Sequence, residues 1–259
     1  MPRRKLSKTD SSPLRGIRVC AFTHVAAGPY ATLQLATLGA EVIKVETSTR
    51  IDYWRYRDRN DDPESSRPFA DHNKNVRSVT INLKQPEGIE LARRLVSASD
   101  VVVDNHSAGV MDQLGLGFEQ LKSCRSDIIV VHMTGLGMKG PRSRTVTFGP
   151  NLMSFCGMTY LWNHPGQRIP VGSQSSYPDY LAGVYAAFTI VAALHVRQRS
   201  NKPQLVDLSQ AMVLASSLGP CYLEALNGSG DPQPQGNTSL SYAPHNCYPC
   251  RGGDDAWCV

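Results

Sequence analysis

The chain has 259 residues, with 27 lysines and arginines against 22 aspartates and glutamates, and 41% of its residues are hydrophobic. This length allows one large or two modest domains, and the small, dispersed positive charge comes with no nucleic-acid-binding motif. Seven scattered cysteines, an odd number, exclude the pattern of a small secreted disulfide scaffold. Residues 1–12 are basic and polar and lack the apolar core of a signal peptide, so we expect a flexible tail and a cytoplasmic protein.

Residues 17–46 predict a strand, a tight turn, a helix and a second strand in unbroken succession. The first strand ends in the polar pair Thr23 and His24, where a parallel sheet places ligand contacts. Gly28 permits a close turn, and Pro29 suits the first turn of the helix. A G-x-G-x-x-G turn is absent, so this α/β unit does not predict dinucleotide binding.

Residues 47–75 are rich in arginines, acids and aromatic residues. This composition fits a solvated loop with local ion pairs. It also fits a partly ordered pocket in which guanidinium groups bind phosphates and aromatic rings stack on an adenine. Both interpretations stay open from the sequence.

Strands and helices alternate between residues 78 and 132, which is typical of a mainly parallel sheet. The predicted elements are strands 78–83, 100–104 and 128–132, and helices 86–97, 110–114 and 118–124. Asn105 and His106 follow the second of these strands, and His132 and Thr134 lie at the end of the third. Because parallel strands end at one edge of the sheet, we expect these residues to lie near His24.

The second half of the chain predicts fewer elements. They are a linker over 138–178, a helix over 179–199, a strand over 204–208, a helix over 209–226 and loop over 227–259. The apolar run 180–196 barely reaches bilayer length and predicts a buried helix. Cys247 and Cys250 form a C-x-x-C motif without a second spaced pair, which indicates an ordinary turn rather than a metal site.

Seven sequence blocks together carry a resemblance that no single one of them would carry. They are PLRGIRV, THVAAGP, LATLGAEVIKVE, NVRSVTINLKQPEG, DVVVDNHSAGVMDQLGLG, TGLGMKGP and PDYLAGVYAAFTIVAALHVRQRS. In this order and spacing, from Pro13 to about Ala215, the chain resembles the class III CoA-transferase family, which includes formyl-CoA, carnitine and benzylsuccinate CoA-transferases and α-methylacyl-CoA racemase. The resemblance implies a Rossmann-like, mainly parallel open sheet flanked by helices. It implies CoA and acyl-CoA as substrates, with no permanently bound cofactor and no metal.

The resemblance also assigns CoA contacts to positions along the predicted sheet edge. These positions are His24, Val25, Ala26, Ala27, Ile81, Asn105, His106, Val110 and Leu114. Where formyl-CoA transferase carries phosphate-binding arginines, this chain has Thr47 and Gln113. Other basic residues must therefore bind the phosphates, and the candidates are Arg50, Arg55, Lys139 and Arg142.

Asp179 matches the catalytic aspartate of the family. A carboxylate here can attack a thioester and then carry CoA itself, which predicts transfer of CoA to a free carboxylic acid. Its place at a predicted helix start favours the ionised form, although the same place also suits a simple helix N-cap. The racemase branch pairs the aspartate with the histidine of a Gly-His-Asp motif. That stretch is Gly149-Pro150-Asn151 here, so racemisation is the less favoured alternative.

Members of the family are considerably longer than this chain. The resemblance places residues 13–226 in a CoA-binding large domain with inserted loops 47–75 and 138–178, and residues 227–259 in a connection to a missing small domain. Family subunits interlock as rings, so we expect either a fragment or a chain completed by a second polypeptide, in a homodimer or a heterodimer. An incomplete subunit that binds CoA without catalysis is a further alternative, and we expect the chain alone to be poorly soluble or weakly active.

Overall fold

A computed structural model describes residues 12–56, 62, 65–170, 173, 175–228, 230–253 and 256–259, so most of the predicted tail lies outside the described residues. Six strands form one parallel sheet: β1 (Arg18–Phe22), β2 (Glu41–Glu46), β3 (Val76–Thr80), β4 (Val101–Asp104), β5 (Ile129–Thr134) and β6 (Gln204–Ser209). Their order across the sheet is β3-β2-β1-β4-β5-β6. The predicted α/β fold with a mainly parallel open sheet is confirmed. The strands β2 and β3 are added on one side of β1 and the strands β4 to β6 on the other, so the strand order switches between β1 and β4, where such sheets bind ligands.

The helices are α1 (Ala27–Thr37), α2 (Arg67–His72), α3 (Pro86–Ser97), α4 (Val110–Gln113), α5 (Phe118–Cys124), α6 (Gly149–Phe155), α7 (Met158–Leu161), α8 (Tyr177–Ser200), α9 (Gln210–Ser217) and α10 (Gly219–Leu226). A 3₁₀ turn covers Tyr53–Tyr56, and a two-residue antiparallel pair joins β7 (Tyr248–Pro249) to β8 (Trp257–Cys258).

Both faces of the sheet are covered, because side chains along a strand alternate between them. Val19 and Ala21 of β1 face a core shared with α1 and α8. Cys20 and Phe22 face a second core built with α3 and α5. Burial on both faces explains why the central strands are apolar almost without interruption.

Helix α8 connects β5 to β6 and packs closely against α1. A Cβ added at Gly183 would lie 2.8 Å from Tyr30 Cδ1 and 3.1 Å from the Ala31 nitrogen. By length and composition, α8 is the one helix in the described residues that could cross a bilayer, and 39% of its most apolar window is buried. Its buried face, which includes Ala182 and Ile190, lies in the core of the sheet, in agreement with the predicted buried helix.

The loops hold more helix than the sequence predicted. Helix α2 lies inside the predicted loop 47–75, and α6 and α7 lie inside the predicted linker 138–178. Both α2 and α6 carry a proline in the first turn, where the missing N–H costs nothing. The predicted helix 209–226 is instead two helices that meet at Leu218, because Pro220 cannot donate the hydrogen bond that a continuous helix needs.

An ion-pair network closes the amino edge of the sheet. Asp100 accepts a hydrogen bond of 2.8 Å from the Arg18 backbone nitrogen, and its other oxygen lies 2.8 Å from Arg125 Nη2 and 3.2 Å from Arg197 Nη2. Asp100 is buried. Two guanidinium groups therefore compensate its charge, which ties the starts of β1 and β4 to the ends of α5 and α8 at the edge opposite the polar cluster.

The α1–α8 contact gives a test of this packing. Gly183→Ala should destabilise the protein by about 1–3 kcal/mol, because the added methyl group has no room between the two helices. Gly219→Ala is the matched control, since nothing lies within 4 Å of a Cβ at that helical position. Urea unfolding followed by circular dichroism measures both variants. Equal stability of the two variants would contradict the packing described.

Candidate active site

Polar residues gather at the carboxyl edge of the sheet, where β1, β4 and β5 end. Phe22 lies in register with Asp104, and Asp104 with His132. The rings of His24 and His106 approach edge to face, with centroids 5.6 Å apart. The structure thus brings together the residues that the sequence placed at the ends of three separate strands.

The turn between β1 and α1 is held by the end of β4. Asn105 Oδ1 accepts a hydrogen bond of 2.8 Å from the His24 nitrogen, and Asn105 Nδ2 donates one of 2.8 Å to the His24 carbonyl. A Cβ at Gly28 would lie 2.7 Å from Thr23 Cβ and 2.8 Å from Asn105 Cγ, so only glycine permits this approach. The amide of Asn105, predicted to contact CoA, is engaged with the backbone of the turn.

The remaining predicted CoA contacts surround this turn. Ala26 and Ala27 are buried at the start of α1, and Ile81 is buried just after β3. Val110 begins α4 and Leu114 follows its last residue, and both are half-buried. Burial lowers the pKa of His24 to about 4, so its imidazole is neutral at pH 7.

Arg55, a predicted phosphate ligand, is instead paired with the end of β2. Its Nε and Nη2 donate hydrogen bonds of 3.0 and 2.9 Å to the two carboxylate oxygens of Glu46. The guanidinium carbon also lies 3.6 Å from the centre of the Phe69 ring. Burial raises the pKa of Glu46, but hydrogen bonds from Arg55 and Ser78 outweigh it and hold the pKa below its ordinary value. Arg55 therefore anchors the segment after β2, and the geometry gives no support to its predicted phosphate contact.

The other three phosphate candidates are accessible. Arg50, Lys139 and Arg142 are exposed. Lys139 and Arg142 follow β5 in the chain, and the guanidinium of Arg142 lies 5.7 Å from the centre of the Phe155 ring. Their positive charges are available to an anionic ligand.

Sequence reasoning missed a buried hydrogen bond between Asp104 and His132. His132 Nδ1 hydrogen-bonds to Asp104 Oδ2, and Asp104 Oδ1 accepts a hydrogen bond of 3.2 Å from the His106 nitrogen. Burial lowers the pKa of His132, but the hydrogen bond to Asp104 outweighs it and the pKa is raised. Burial raises the pKa of Asp104, but hydrogen bonds from both histidines lower it. The sequence signal that could have predicted this contact was an acid and a histidine at the ends of two neighbouring strands.

Two buried hydroxyls at this edge have no hydrogen-bond partner within the described part of the chain. They are Thr23 Oγ1 and Thr134 Oγ1. Buried polar groups are nearly always satisfied, so unpartnered ones that cluster at one edge indicate a place for a ligand or water.

Asp179 lies in the first turn of α8, which enters the sheet crossover at this same edge. A Cβ at Gly149 would lie 2.6 Å from Asp179 Oδ2, so the start of α6 borders the carboxylate directly. Burial raises the pKa of Asp179 to about 6, and a hydrogen bond from the Ser176 side chain partly opposes this. We expected the helix start to favour the ionised form, but here desolvation exceeds that stabilisation. Asp179 is still mostly ionised at pH 7.

The next residue links α8 to the turn that follows β1. The Tyr180 ring packs edge to face on Tyr30 of α1, with centroids 5.0 Å apart, and its hydroxyl lies 3.3 Å from His72 Nε2. The carboxylate of Asp179 and the turn at His24 are therefore positioned by helices in direct contact.

The C-x-x-C motif lies away from this edge, around β7. All seven cysteines are free, and Cys247 Sγ accepts a hydrogen bond of 3.3 Å from Asn237. The part of the chain that the structure describes contains no group of three or more His, Cys, Asp or Glu residues that could hold a metal ion.

Fold and site together define an α/β protein with a ligand-binding edge at the carboxyl ends of a parallel sheet and a half-buried carboxylate beside it. The family model "CoA-transferase family III" matches residues 14–259. The chain belongs to the CoA-transferase family III.

Individual relatives agree with this assignment. Succinyl-CoA:glutarate CoA-transferase of Mus musculus is 30% identical over 251 residues, which are 96% of this chain and 57% of the mouse protein. The α subunit of succinyl-CoA–L-malate CoA-transferase of Chloroflexus aurantiacus is 32% identical over 200 residues, 77% of this chain and 47% of that subunit. A crystal structure of a CAIB/BAIF family protein from Brucella suis superposes with a TM-score of 0.85 at 29% identity, covering 95% of this chain and 65% of that one. The chain thus spans about half the length of the curated relatives it matches.

The environment of Asp179 predicts a measurable titration. In aspartate-labelled protein, the ¹³C carboxyl signal that Asp179→Asn removes should titrate with a midpoint near pH 6. Ser176→Ala should move this midpoint upward, because it removes the hydrogen bond that favours the charged form. A midpoint near 4 in both proteins would contradict the burial described.

The pH dependence of the free energy of unfolding independently checks the direction of the pKa shift of Asp179. Because the pKa of folded Asp179 exceeds its unfolded value of 3.8, the stability contributed by the neutral form is complete below pH 4 and is lost as pH rises through about 6. Asp179→Asn lacks this titration. It should therefore gain stability relative to wild type between pH 4 and 7, on the order of 1–3 kcal/mol.

Proposed function

We propose that this chain carries the CoA-binding edge and the nucleophile of a CoA-transferase that moves CoA from an acyl-CoA to a free carboxylic acid. The single observation that carries the proposal is the position of Asp179. Its carboxylate lies against Gly149 in the first turn of α8, at the carboxyl edge of a sheet that belongs to CoA-transferase family III.

The chemistry proceeds by alternate attack on carbonyl carbons. The Asp179 carboxylate attacks the acyl-CoA thioester and displaces the CoA thiolate, which forms a mixed anhydride. The thiolate attacks the aspartyl carbonyl of that anhydride, which releases the donor acid and leaves an aspartyl-CoA thioester. The acceptor carboxylate attacks this thioester and again displaces the thiolate. Attack of the thiolate on the acceptor's carbonyl then forms the new acyl-CoA and restores Asp179.

The surroundings of Asp179 suit this role. Partial burial removes water that would hydrolyse the anhydride or the thioester. Burial also raises the pKa to about 6, so the group stays mostly ionised at pH 7 and is more basic than an exposed aspartate. Higher basicity makes a carboxylate a better nucleophile, provided that it remains charged.

The relatives suggest where to look for substrates. The mouse and Chloroflexus proteins are named for succinyl-CoA as donor and for glutarate or L-malate as acceptor. We therefore propose succinyl-CoA as the donor and a dicarboxylic acid as the acceptor. Arg50, Lys139 and Arg142, exposed near this edge, are the proposed partners of the CoA phosphates.

Replacement of the nucleophile tests the mechanism. The chain, assembled with the second chain proposed to complete its site, is incubated with succinyl-CoA and ¹³C-labelled glutarate, and labelled glutaryl-CoA is measured by mass spectrometry. Asp179→Asn should lower exchange by about 1,000-fold or more, because the amide cannot form the anhydride. Hydroxylamine or borohydride added during turnover should modify the peptide that contains Asp179.

Asp100→Asn is the matched control, since it removes a buried carboxylate at the opposite edge of the sheet. Its folded fraction should exchange CoA at the wild-type rate. Exchange that continues at full rate in Asp179→Asn, with the Asp179 peptide unmodified in the wild type, would refute the mechanism.

Charge removal tests the phosphate contacts. Lys139→Gln and Arg142→Gln should each weaken CoA binding about tenfold, as expected when one exposed charge pair to a phosphate is lost. Binding of pantetheine, which lacks the phosphates, should not change in either variant. Equal weakening for CoA and pantetheine, measured by isothermal titration calorimetry, would contradict the assignment.

A non-catalytic CoA-binding subunit is the second candidate, because the Chloroflexus relative is named as the α subunit of a CoA-transferase. It predicts CoA binding without modification of Asp179. Racemisation has less support, because Pro150, next to the residue that borders Asp179, cannot carry a proton. A racemase would introduce deuterium from ²H₂O at the α-carbon of the acyl-CoA, which NMR detects and a transferase would not produce.

We also propose that a second chain, identical or different, completes the site. The Chloroflexus relative is named as an α subunit, and Phe188, Met212 and Leu226 of α8 to α10 are exposed apolar residues that another chain could cover. Light scattering after size-exclusion chromatography measures the assembly.

A further inference from the structure

The turn that follows β1 contains an unfavourable backbone conformation. Val25 has φ of +62°, in the left-handed region. The other non-glycine residues with positive φ in the described part of the chain are Asn75 and Asn201, and asparagine tolerates this region. Valine does not, because its β-branched side chain crowds the backbone there. Such a conformation persists only where its surroundings impose it.

Asp52 imposes it. The Val25 nitrogen donates hydrogen bonds of 3.1 and 3.2 Å to the two carboxylate oxygens of Asp52. The same carboxylate accepts a hydrogen bond of 3.1 Å from the Trp54 nitrogen, which fixes it in its own loop. Asp52 is only 1% exposed, so these hydrogen bonds are shielded from water.

Lys44 makes the buried carboxylate possible. Its Nζ lies 2.8 Å from Asp52 Oδ2, and Lys44 itself is 1% exposed in the middle of β2. An unpaired charge at this depth would be very unfavourable, so neither residue is stable here without the other. The Lys44–Asp52 ion pair therefore fixes the turn that follows β1 relative to strand β2.

We propose that Asp52, with Lys44 as its counterion, is a positioning residue for CoA binding. It holds Val25 in the left-handed conformation and so keeps the backbone of residues 24–27 in the shape that receives the ligand, while Asn105 holds the other side of the turn. Asp52 acts through the turn and has no role in the chemistry. The inference rests on the proposed function, because CoA is the ligand that the turn is proposed to bind.

The test combines loss of the anchor with relief of the strain. Asp52→Asn keeps the size of the side chain but leaves one acceptor oxygen for the Val25 nitrogen, the Trp54 nitrogen and Lys44 Nζ, and its amide nitrogen faces one of these donors. Val25 should therefore relax to negative φ. CoA affinity should fall about tenfold. Val25→Gly makes positive φ acceptable without an anchor. In the V25G background, Asp52→Asn should therefore change CoA affinity by less than about threefold. Calorimetry with free CoA measures all four proteins.

Asp100→Asn is the control for a merely structural effect. It breaks a buried ion pair of the same sheet at the opposite edge, so it should lower the melting temperature and leave CoA affinity of the folded protein within about twofold. Equal loss of affinity from Asp52→Asn in the wild-type and V25G backgrounds would overturn the proposal. So would unchanged affinity in Asp52→Asn.

Hydrogen exchange separates this inference from the proposed function. The Val25 amide should be protected in the wild-type chain without CoA and should exchange rapidly in Asp52→Asn, with β4 amides protected in both. If the wild-type chain does not bind CoA, the proposed function fails, while exchange at Val25 still decides whether Asp52 holds the turn. Protection of the Val25 amide in Asp52→Asn would overturn the anchoring itself.

Discussion

All six strands of the sheet run in one direction, and the site depends on that constraint. Parallel pairing sends every residue that follows a strand to the same edge, so Thr23, Asn105 and Thr134 become neighbours although more than 100 residues separate the first from the last. The opposite edge is closed by the network around Asp100. One edge is therefore closed by ion pairs, whereas the other holds buried polar atoms that have no hydrogen-bond partner among the described residues, which fits the ligand proposed for this edge.

Two kinds of environment meet at the open edge. The turn after β1 is fixed on both sides, by the Asn105 amide and by the Asp52 carboxylate, which suits a surface that recognises one ligand shape. Asp179 lies in a less polar place, with one hydrogen bond from Ser176 and a pKa raised by burial. The turn proposed to bind CoA and the proposed nucleophile are thus separate groups, and contact between Tyr30 and Tyr180 fixes their relative positions.

Apolar periodicity predicted the central strands and the longer helices α1, α3 and α8 because each buries a continuous apolar face. Helices α2 and α6 were missed, since both are short and the first-turn proline is the only local signal, in a charged loop for α2 and in a linker rich in glycine, proline and serine for α6. Arg55 was considered as a phosphate ligand because it lies in an arginine-rich stretch. Its partner Glu46 lies nine residues away in the sequence, and only packing around Phe69 brings the two together.

The sequence by itself determined the parallel α/β fold and the strand ends that would carry polar residues, and its resemblance to the family predicted Asp179 as the nucleophile. These follow from local pattern and from motifs in fixed order. Tertiary structure alone decided which charges are paired, that Asp104 meets His132, that Asp52 holds Val25, and that the pKa of Asp179 is raised. Hydrogen bonding and desolvation depend on distances between residues far apart in the chain, and those distances exist only after the elements have packed.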